Sequence, residues 1–378
     1  MDLADTARDA EFRAGLRAWL AGALATAPPA PPAHDWPARR AHDLGWQRRL
    51  YDAGYGDVHW DATPARRLIF LEETERAGAP YVGAGFVGLL HAGPTIAAEG
   101  TPEQRERWLP AILRGEEVWC QGFSEPEAGS DLAALRTRAR RDGDHYVVTG
   151  AKTWTSHAQI ADWCELLART DPDAPRHRGI SWLALPMDAP GVTVRPLRTL
   201  AGSTEFAQLF LDEVRVPVRN RVGAEHDGWR VSQVTLGFER GTAFAGEVVA
   251  CRRTLGEIAA EARRVGRWEE DPVTRRRLGR LHAEFRALWR LVQWNVGAAE
   301  AGGGVPGVRG SIFKLRYARA RQALYDAAAD VLGADSLDLD WPWTPERLSS
   351  LSYTIAAGTS EIQLGIIAER GLGLPKGR

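Results

Sequence analysis

In LGFERGTAFAGE, Leu236 to Glu247, the carboxylate of Glu239 stands among small and apolar neighbours. On a helical repeat Thr235, Leu236, Thr242 and Ala243 lie three or four residues from it, and Gly246 continues that face. Such neighbours leave room for a ligand, and partial burial raises a carboxyl pKa toward neutrality, as a general base requires. The same spacing also describes a solvated mid-helix glutamate paired with a neighbour. Three further segments concentrate polar side chains beside glycine. GFSEPEAGSDLAAL, Gly122 to Leu135, holds Ser124, Glu125-Pro126, Gly129-Ser130 and Asp131 behind an apolar entry of Val118, Trp119 and Cys120, with Gln121 and Phe123 at its start. GAKTWTS, Gly150 to Ser156, sets the aromatic wall of Trp154 beside two hydroxyls, and AAGTSEIQ, Ala356 to Gln363, lies near the C-terminal end. Taken singly, the first two segments also read as polar β-turns.

In this order and at these separations the segments resemble the acyl-CoA dehydrogenase family of flavoenzymes. RTDPDAPRHRGIS (Arg169 to Ser181), GVTVRPL (Gly191 to Leu197), FLDEVRVP (Phe210 to Pro217) and IIAERGLGLP (Ile366 to Pro375) extend the likeness over nearly the whole chain. The resemblance implies FAD as cofactor. A flavin needs donors for its ring edge, hydroxyls and backbone N–H groups for its pyrophosphate, and apolar cover for its faces. By resemblance, Gln121, Phe123, Ser124, Ser130, Trp154, Ser156, Thr359 and Glu361 bind the cofactor, and Ser130, Phe238, Arg240 and Ala357 meet the substrate.

Most members of that family carry the catalytic glutamate immediately before the Gly-Thr of the C-terminal motif. Ala357 holds that place here. Some members carry the base on the pocket-lining helix instead, in a Glu-Arg pair, which corresponds to Glu239-Arg240. The expected reaction is α,β-dehydrogenation of an acyl thioester to its trans-2-enoyl form. Glu239 removes the α-proton, the flavin accepts the β-hydrogen as hydride, and the residue 357 N–H, with a ribityl hydroxyl of the flavin, polarises the carbonyl. The resemblance further implies an electron-transfer flavoprotein as electron acceptor and a homo- or hetero-oligomer, dimer or tetramer. An acyl-carrier-protein thioester, oxygen-using monooxygenase chemistry, and a non-catalytic subunit of a heteromer are the alternative readings. Two departures bear on these. The Arg-x-x-Phe-Gly motif common in the family is replaced by Arg263-Arg264-Val265-Gly266-Arg267, and the Trp-Pro loop by Trp60-Asp61-Ala62-Thr63-Pro64.

The elements that must position these residues follow from periodicity. Residues 1–117 read as helical: Phe12, Leu16, Trp19 and Leu20 share a helix face, a proline-rich stretch follows at 28–37, and Thr101-Pro102-Glu103-Gln104 is a helix start. Residues 118–225 change to short apolar runs separated by Gly, Pro and Asp, an antiparallel β pattern. Residues 226–378 return to helix, with Gly302-Gly303-Gly304 and Pro306-Gly307 as a break. The fold class expected is α+β: an N-terminal helical domain, a middle antiparallel β-barrel or sandwich domain, and a C-terminal helical bundle.

Composition excludes several other classes. Over 378 residues, 48 basic against 49 acidic side chains give a net charge of −1, without the basic excess of a nucleic-acid binder. Cys120, Cys164 and Cys251 are far apart and in no metal-ligand spacing, which argues against a disulfide framework or a zinc site. His91, His145, His177 and His226 are scattered in the same way, so no metal is expected. The acidic start MDLADTARDAEFRAG is no secretory signal, and no run is apolar for long enough to span a bilayer. A cytoplasmic protein is therefore expected.

Overall fold

The computed structural model describes residues 5–80, 82–239, 244–298, 307–341 and 343–375; the side chains of residues 237–239 and 298 lie outside that description. Helices α1 (Ala7–Ala25), α2 (Trp36–Asp52) and α3 (Pro64–Ala77) come first, then α4 (Gly93–Glu99) and α5 (Pro102–Leu113). Local chemistry sets their starts. The Thr101 hydroxyl accepts from the Gln104 N–H while the Gln104 side chain accepts from the Thr101 N–H, a complete capping box. Leu16 and Leu20 of α1 pack with Trp46, Leu50 and Phe70 in a small core of their own. The proline-rich stretch ends where Asp35 caps α2.

The middle region is one sheet in the order β6-β7-β3-β2-β4-β5-β8, with β1 paired to β4. Its strands are β1 (Trp119–Gly122), β2 (Arg138–Asp142), β3 (His145–Ser156), β4 (Trp163–Arg169), β5 (Ile180–Pro186), β6 (Val192–Leu197), β7 (Phe206–Pro217) and β8 (Arg221–Val222). Most pairings are antiparallel, as the turn-rich pattern predicts, but β1 runs parallel to β4, and β2 touches β4 in the same sense. The sheet is therefore mixed. β1 arrives from the helical domain rather than from a hairpin, so its direction is not tied to a neighbouring turn.

The third region comprises α6 (Gly228–Glu239), α7 (Ala245–Arg264), α8 (Arg267–Glu270), α9 (Pro272–Ala298), α10 (Gly307–Leu332), α11 (Thr344–Ser350) and α12 (Ser360–Ile366). The glycine-rich break lies outside the described residues, between α9 and α10. Leu68 and Leu71 of α3 join the core of α7, α9 and α10, so the first and third regions share an interior. Tryptophans join the first region to the sheet: Trp108 of α5 meets the rings of Trp119 and Trp163 edge-on at 5.7 and 5.5 Å. Polar contacts reinforce this. The Gln104 amide donates to the Arg219 and Arg221 carbonyls, and Arg40 of α2 pairs with Asp162, whose carboxylate also takes the Val118 N–H. Among the described residues no helix is long and apolar enough to cross a membrane.

Glu75 of α3 carries a pH dependence. Burial is the main cause that pushes its carboxyl up from 4.5 to about 7, with Arg253 opposing and Glu247 adding. The native state thus holds a proton that the unfolded chain has lost between those two values. This contribution to stability is complete below about pH 4.5 and declines as pH rises to about 7. Glu75→Gln is expected to raise the melting temperature at pH 8 and to leave it nearly unchanged at pH 4.5. A thermal melt at both pH values reads the difference, and equal shifts would contradict the assignment.

Candidate active site

The two glycine-bearing segments are held against each other by the backbone. The Thr153 N–H donates to the Ser124 carbonyl at 2.9 Å, and the Lys152 ammonium donates to the Phe123 carbonyl at 3.1 Å. GAKTWTS is not a turn. It is the far half of β3, and its pairing with β7 shifts between Lys152↔Leu209 and Thr155↔Ala207, three steps against two. That extra residue is a β-bulge, and bulges re-aim side chains beside functional sites. Trp154 sits in it with φ 60°, a left-handed conformation rare for a bulky residue. Its indole is 60% exposed, with Phe206 edge-on to it at 5.9 Å. A large apolar surface lies open beside the partly exposed Ser124 and Ser156.

Lys152 anchors this arrangement. It is wholly buried and paired at 2.9 Å with Glu125, whose carboxylate also takes the Arg136 and Thr137 N–H groups at 2.7 and 2.8 Å. Burial lowers the lysine pKa against the pull of Glu125. The carboxyl stays below its ordinary value because Lys152 and these donors outweigh burial. The pair and its backbone donors lock the turn at Glu125–Ala128 onto β3.

The remaining expected cofactor residues are placed as follows. The Gln121 amide donates to Glu165 at 2.8 Å and lies 3.2 Å from the His91 ring, so its side chain is tied inside the sheet. Phe123 is buried in the core between α4, α5 and the sheet. Ser130 is exposed at the far end of its loop, beside the Asp131–Arg176 ion pair. Thr359 caps α12 by accepting the Ile362 N–H, which leaves Glu361 exposed in the first turn.

The C-terminal motif turns sharply. Ala357 at φ 52° and Gly358 at φ 84° are both left-handed. Lys314 of α10 donates to the Gly358 carbonyl at 2.6 Å, and Gln363 to the Ala357 carbonyl at 3.1 Å. Both carbonyls are thereby turned to the protein side, and the Ala357 N–H makes no hydrogen bond among the described residues. A left-handed alanine costs about 1–2 kcal/mol, strain of the kind that persists where the surroundings over-determine it. The free, exposed N–H is a donor available to a carbonyl oxygen.

Glu239 is the last residue of α6, one turn beyond Thr235, whose buried hydroxyl lies 2.7 Å from that of Thr95 on α4. The side chains of Glu239 and Phe238 and all of Arg240 lie outside the described residues. The Arg263–Arg267 region ends α7: Gly266 is left-handed at φ 79°, and Arg263 stacks over Trp268 at 4.0 Å. Trp60 is fixed by donating to the Leu89 carbonyl at 2.7 Å. Neither the Lys152–Glu125 pair nor the Glu247 cluster described below was visible as a motif. The only local hint of the second was a carboxylate at 247 flanked by Ala245, Gly246, Val248 and Val249.

The residues present suit a flavin: an open indole face, nearby hydroxyls, and a glycine-bearing loop braced by a buried ion pair. Comparison with known proteins agrees. Residues 6–116, 120–214 and 226–372 match the N-terminal, middle and C-terminal domain families of acyl-CoA dehydrogenase. The chain is 39% identical over 383 residues to acyl-CoA dehydrogenase IpdE1 of Mycobacterium tuberculosis (strain ATCC 25618 / H37Rv), covering 97% of this chain and 98% of that protein. It is 40% identical over 341 residues to acyl-CoA dehydrogenase FadE34 of the same organism, covering 87% of this chain and 46% of that one. Among solved structures, the Tcur3481-Tcur3483 steroid ACAD superposes with a TM-score of 0.85 at 31% identity over the full length of both chains. The ChsE4-ChsE5 complex from Mycobacterium tuberculosis gives 0.80 at 31%, again over both full lengths. The chain belongs to the acyl-CoA dehydrogenase family, as an FAD-dependent oxidoreductase that dehydrogenates acyl-CoA.

Proposed function

We propose that the substrate is a bulky, polycyclic acyl-CoA of steroid type, desaturated between its α and β carbons with Glu239 as the base. The observation that carries this is the small Ala357 at the position where most relatives place their glutamate, with its N–H free for the thioester carbonyl. Without a carboxylate there, the base is assigned to the end of α6, and the space beside the motif is left to the acyl group. The similar Tcur3481-Tcur3483 protein is a steroid ACAD, which supports the choice of substrate class.

In this mechanism the Ala357 N–H holds the thioester oxygen and stabilises the charge that grows on it as the α-proton leaves. Glu239 accepts that proton. FAD, when bound, supplies the acceptor for the β-hydrogen, which departs with the bonding electron pair as the double bond forms. Trp154 would cover the ring of the bound cofactor, and Ser124, Ser156 and Thr359 would supply hydroxyls to it. By family resemblance Phe238 and Arg240 are assigned to the substrate, and Ser130 would serve the thioester and pyrophosphate. An electron-transfer flavoprotein would be the electron acceptor.

We further assign the chain to a heteromer. One similar solved structure pairs ChsE4 with ChsE5 and another pairs Tcur3481 with Tcur3483, and the Arg263–Arg267 region departs from the Arg-x-x-Phe-Gly motif common in the family. The test is purification with any copurifying partner, FAD quantitation, and turnover of a thioester panel with an artificial electron acceptor. A yellow protein with kcat/KM at least about tenfold higher for a steroid-derived acyl-CoA than for a straight-chain one is expected. A preference for the straight chain would overturn the substrate class. A colourless, inactive chain would point to a non-catalytic subunit.

A further inference from the structure

Residues 133–138 and the connection from β4 to β5 line an open depression of about 360 Å³ that the reaction described above does not use. Four arginines line it, Arg136, Arg138, Arg169 and Arg176, and no carboxylate does. Leu135 and Pro172 add apolar surface. Both walls are fixed in place. The partly buried Arg169 guanidinium donates to the Ala133 and Leu135 carbonyls at 2.8 and 3.2 Å on one side. On the other it donates to the Arg176 and Arg178 carbonyls at 3.1 and 3.2 Å. Glu125 holds the first wall again by taking the Arg136 and Thr137 N–H groups.

The charge of this lining is not cancelled. Arg138 is exposed and has no ion-pair partner among the described residues, and Arg169 bonds only to carbonyls. Arg136 pairs at 2.9 Å with Glu127, the two side chains being 80% and 74% exposed, and Arg176 pairs with the exposed Asp131. Asp171 acts on Arg169 from outside the lining. Exposed pairs of this kind are weak and give way to a better anion. The position suits the substrate. Asp131 follows Ser130 directly. Arg138 stands opposite Thr149 on β3, five residues before Trp154, roughly 17 Å along the strand. An extended pantetheine arm bridges a span of that order, from a thioester beside the indole to a nucleotide at the arginines.

We propose that this depression holds the 3′-phospho-ADP end of coenzyme A, with Arg136, Arg138 and Arg176 on its phosphates and Leu135 and Pro172 against the adenine. This rests on the thioester reading above and concerns the end of the substrate far from the chemistry. Guanidinium forks match phosphate oxygens two at a time. An acyl-carrier-protein thioester has the same arm but ends on a phosphodiester to serine, without adenine or 3′-phosphate. The site therefore selects free CoA thioesters over carrier-bound ones.

The test uses FAD-loaded enzyme and whichever acyl group it turns over, attached in turn to CoA, 3′-dephospho-CoA and a carrier protein. Wild-type KM is expected to rise about tenfold on loss of the 3′-phosphate at nearly constant kcat, because a contact far from the reacting carbons binds ground and transition states alike. The difference should shrink as salt is added. Arg138→Ala should bring the KM values of the CoA and dephospho-CoA thioesters together, and Arg138→Lys, which keeps the charge and loses the fork, should fall between. Equal KM for those two thioesters in the wild type, or an unchanged ratio in Arg138→Ala, overturns this site. Loss of FAD from Arg138→Ala with KM unaltered also overturns it and assigns the arginines to the flavin's own pyrophosphate. Better turnover of the carrier-protein thioester overturns it as well. Turnover of no thioester on any carrier overturns the functional reading, and this site with it.

Discussion

Glu239→Gln is expected to purify yellow, with FAD content and melting temperature matching wild type, and to lose turnover by about 10²–10⁴-fold, the usual cost of removing a positioned base. The substitution keeps the size of the side chain and removes only its ability to take a proton. The loss should therefore fall on kcat, with little change in KM, because the interaction removed belongs to the transition state. The comparison with Glu247→Gln sharpens the result. Both carboxylates flank the short segment between α6 and α7, but Glu247 is tied by Tyr317, Arg321 and Tyr353 and is expected to contribute to stability rather than to kcat. If Glu247→Gln abolishes kcat while Glu239→Gln retains it, the base is Glu247. Normal turnover in Glu239→Gln would refute the proposed mechanism outright.

Lys152→Met should be the most damaging substitution in the sheet. It leaves Glu125 charged and buried with only two backbone donors, and stranding one partner of a buried pair costs about 3–5 kcal/mol. The penalty reaches the cofactor because Lys152 also holds the Phe123 carbonyl, and its neighbour Thr153 holds Ser124. The expected outcome is a melting temperature lower by several degrees and protein that loses FAD on desalting. Adding Glu125→Gln should recover part of the stability, since no unpaired charge remains; the recovery is partial because the Arg136 and Thr137 N–H groups bond to different carboxylate oxygens and a single amide oxygen replaces only one of them. Differential scanning calorimetry with flavin absorbance reads both effects. A single variant that melts like wild type and keeps its FAD would show that the pair does not brace the cofactor loop.

Much of this architecture was legible before any coordinates. The α5 start is written in Thr101-Pro102-Glu103-Gln104 because capping is settled within four residues. The face of α1 is written in Leu16 and Leu20 because helical periodicity is local. The flavin was implied by the family resemblance that the ordered segments carry; periodicity and composition alone gave an α+β fold and no cofactor. β2 was not legible as a strand. Arg138, Arg140 and Arg141 give it no apolar alternation, and it is a strand because β3 pairs along its whole length.

The amino-acid order by itself determined most element types, the helix–sheet–helix order and the motif set, which depend on interactions within a few residues. Tertiary structure alone decided the rest. It set Trp154 in a bulge against β7 and drew the Ala357 and Gly358 carbonyls toward α12 and α10, with the Ala357 N–H left unbonded among the described residues. It also paired Glu125 with Lys152 across 27 residues, and gathered Glu247 with Tyr317 and Tyr353 across 70 and 106. A buried charge finds its partner through packing of distant elements, and the loss of water makes that partner obligatory, so no local pattern could have announced it.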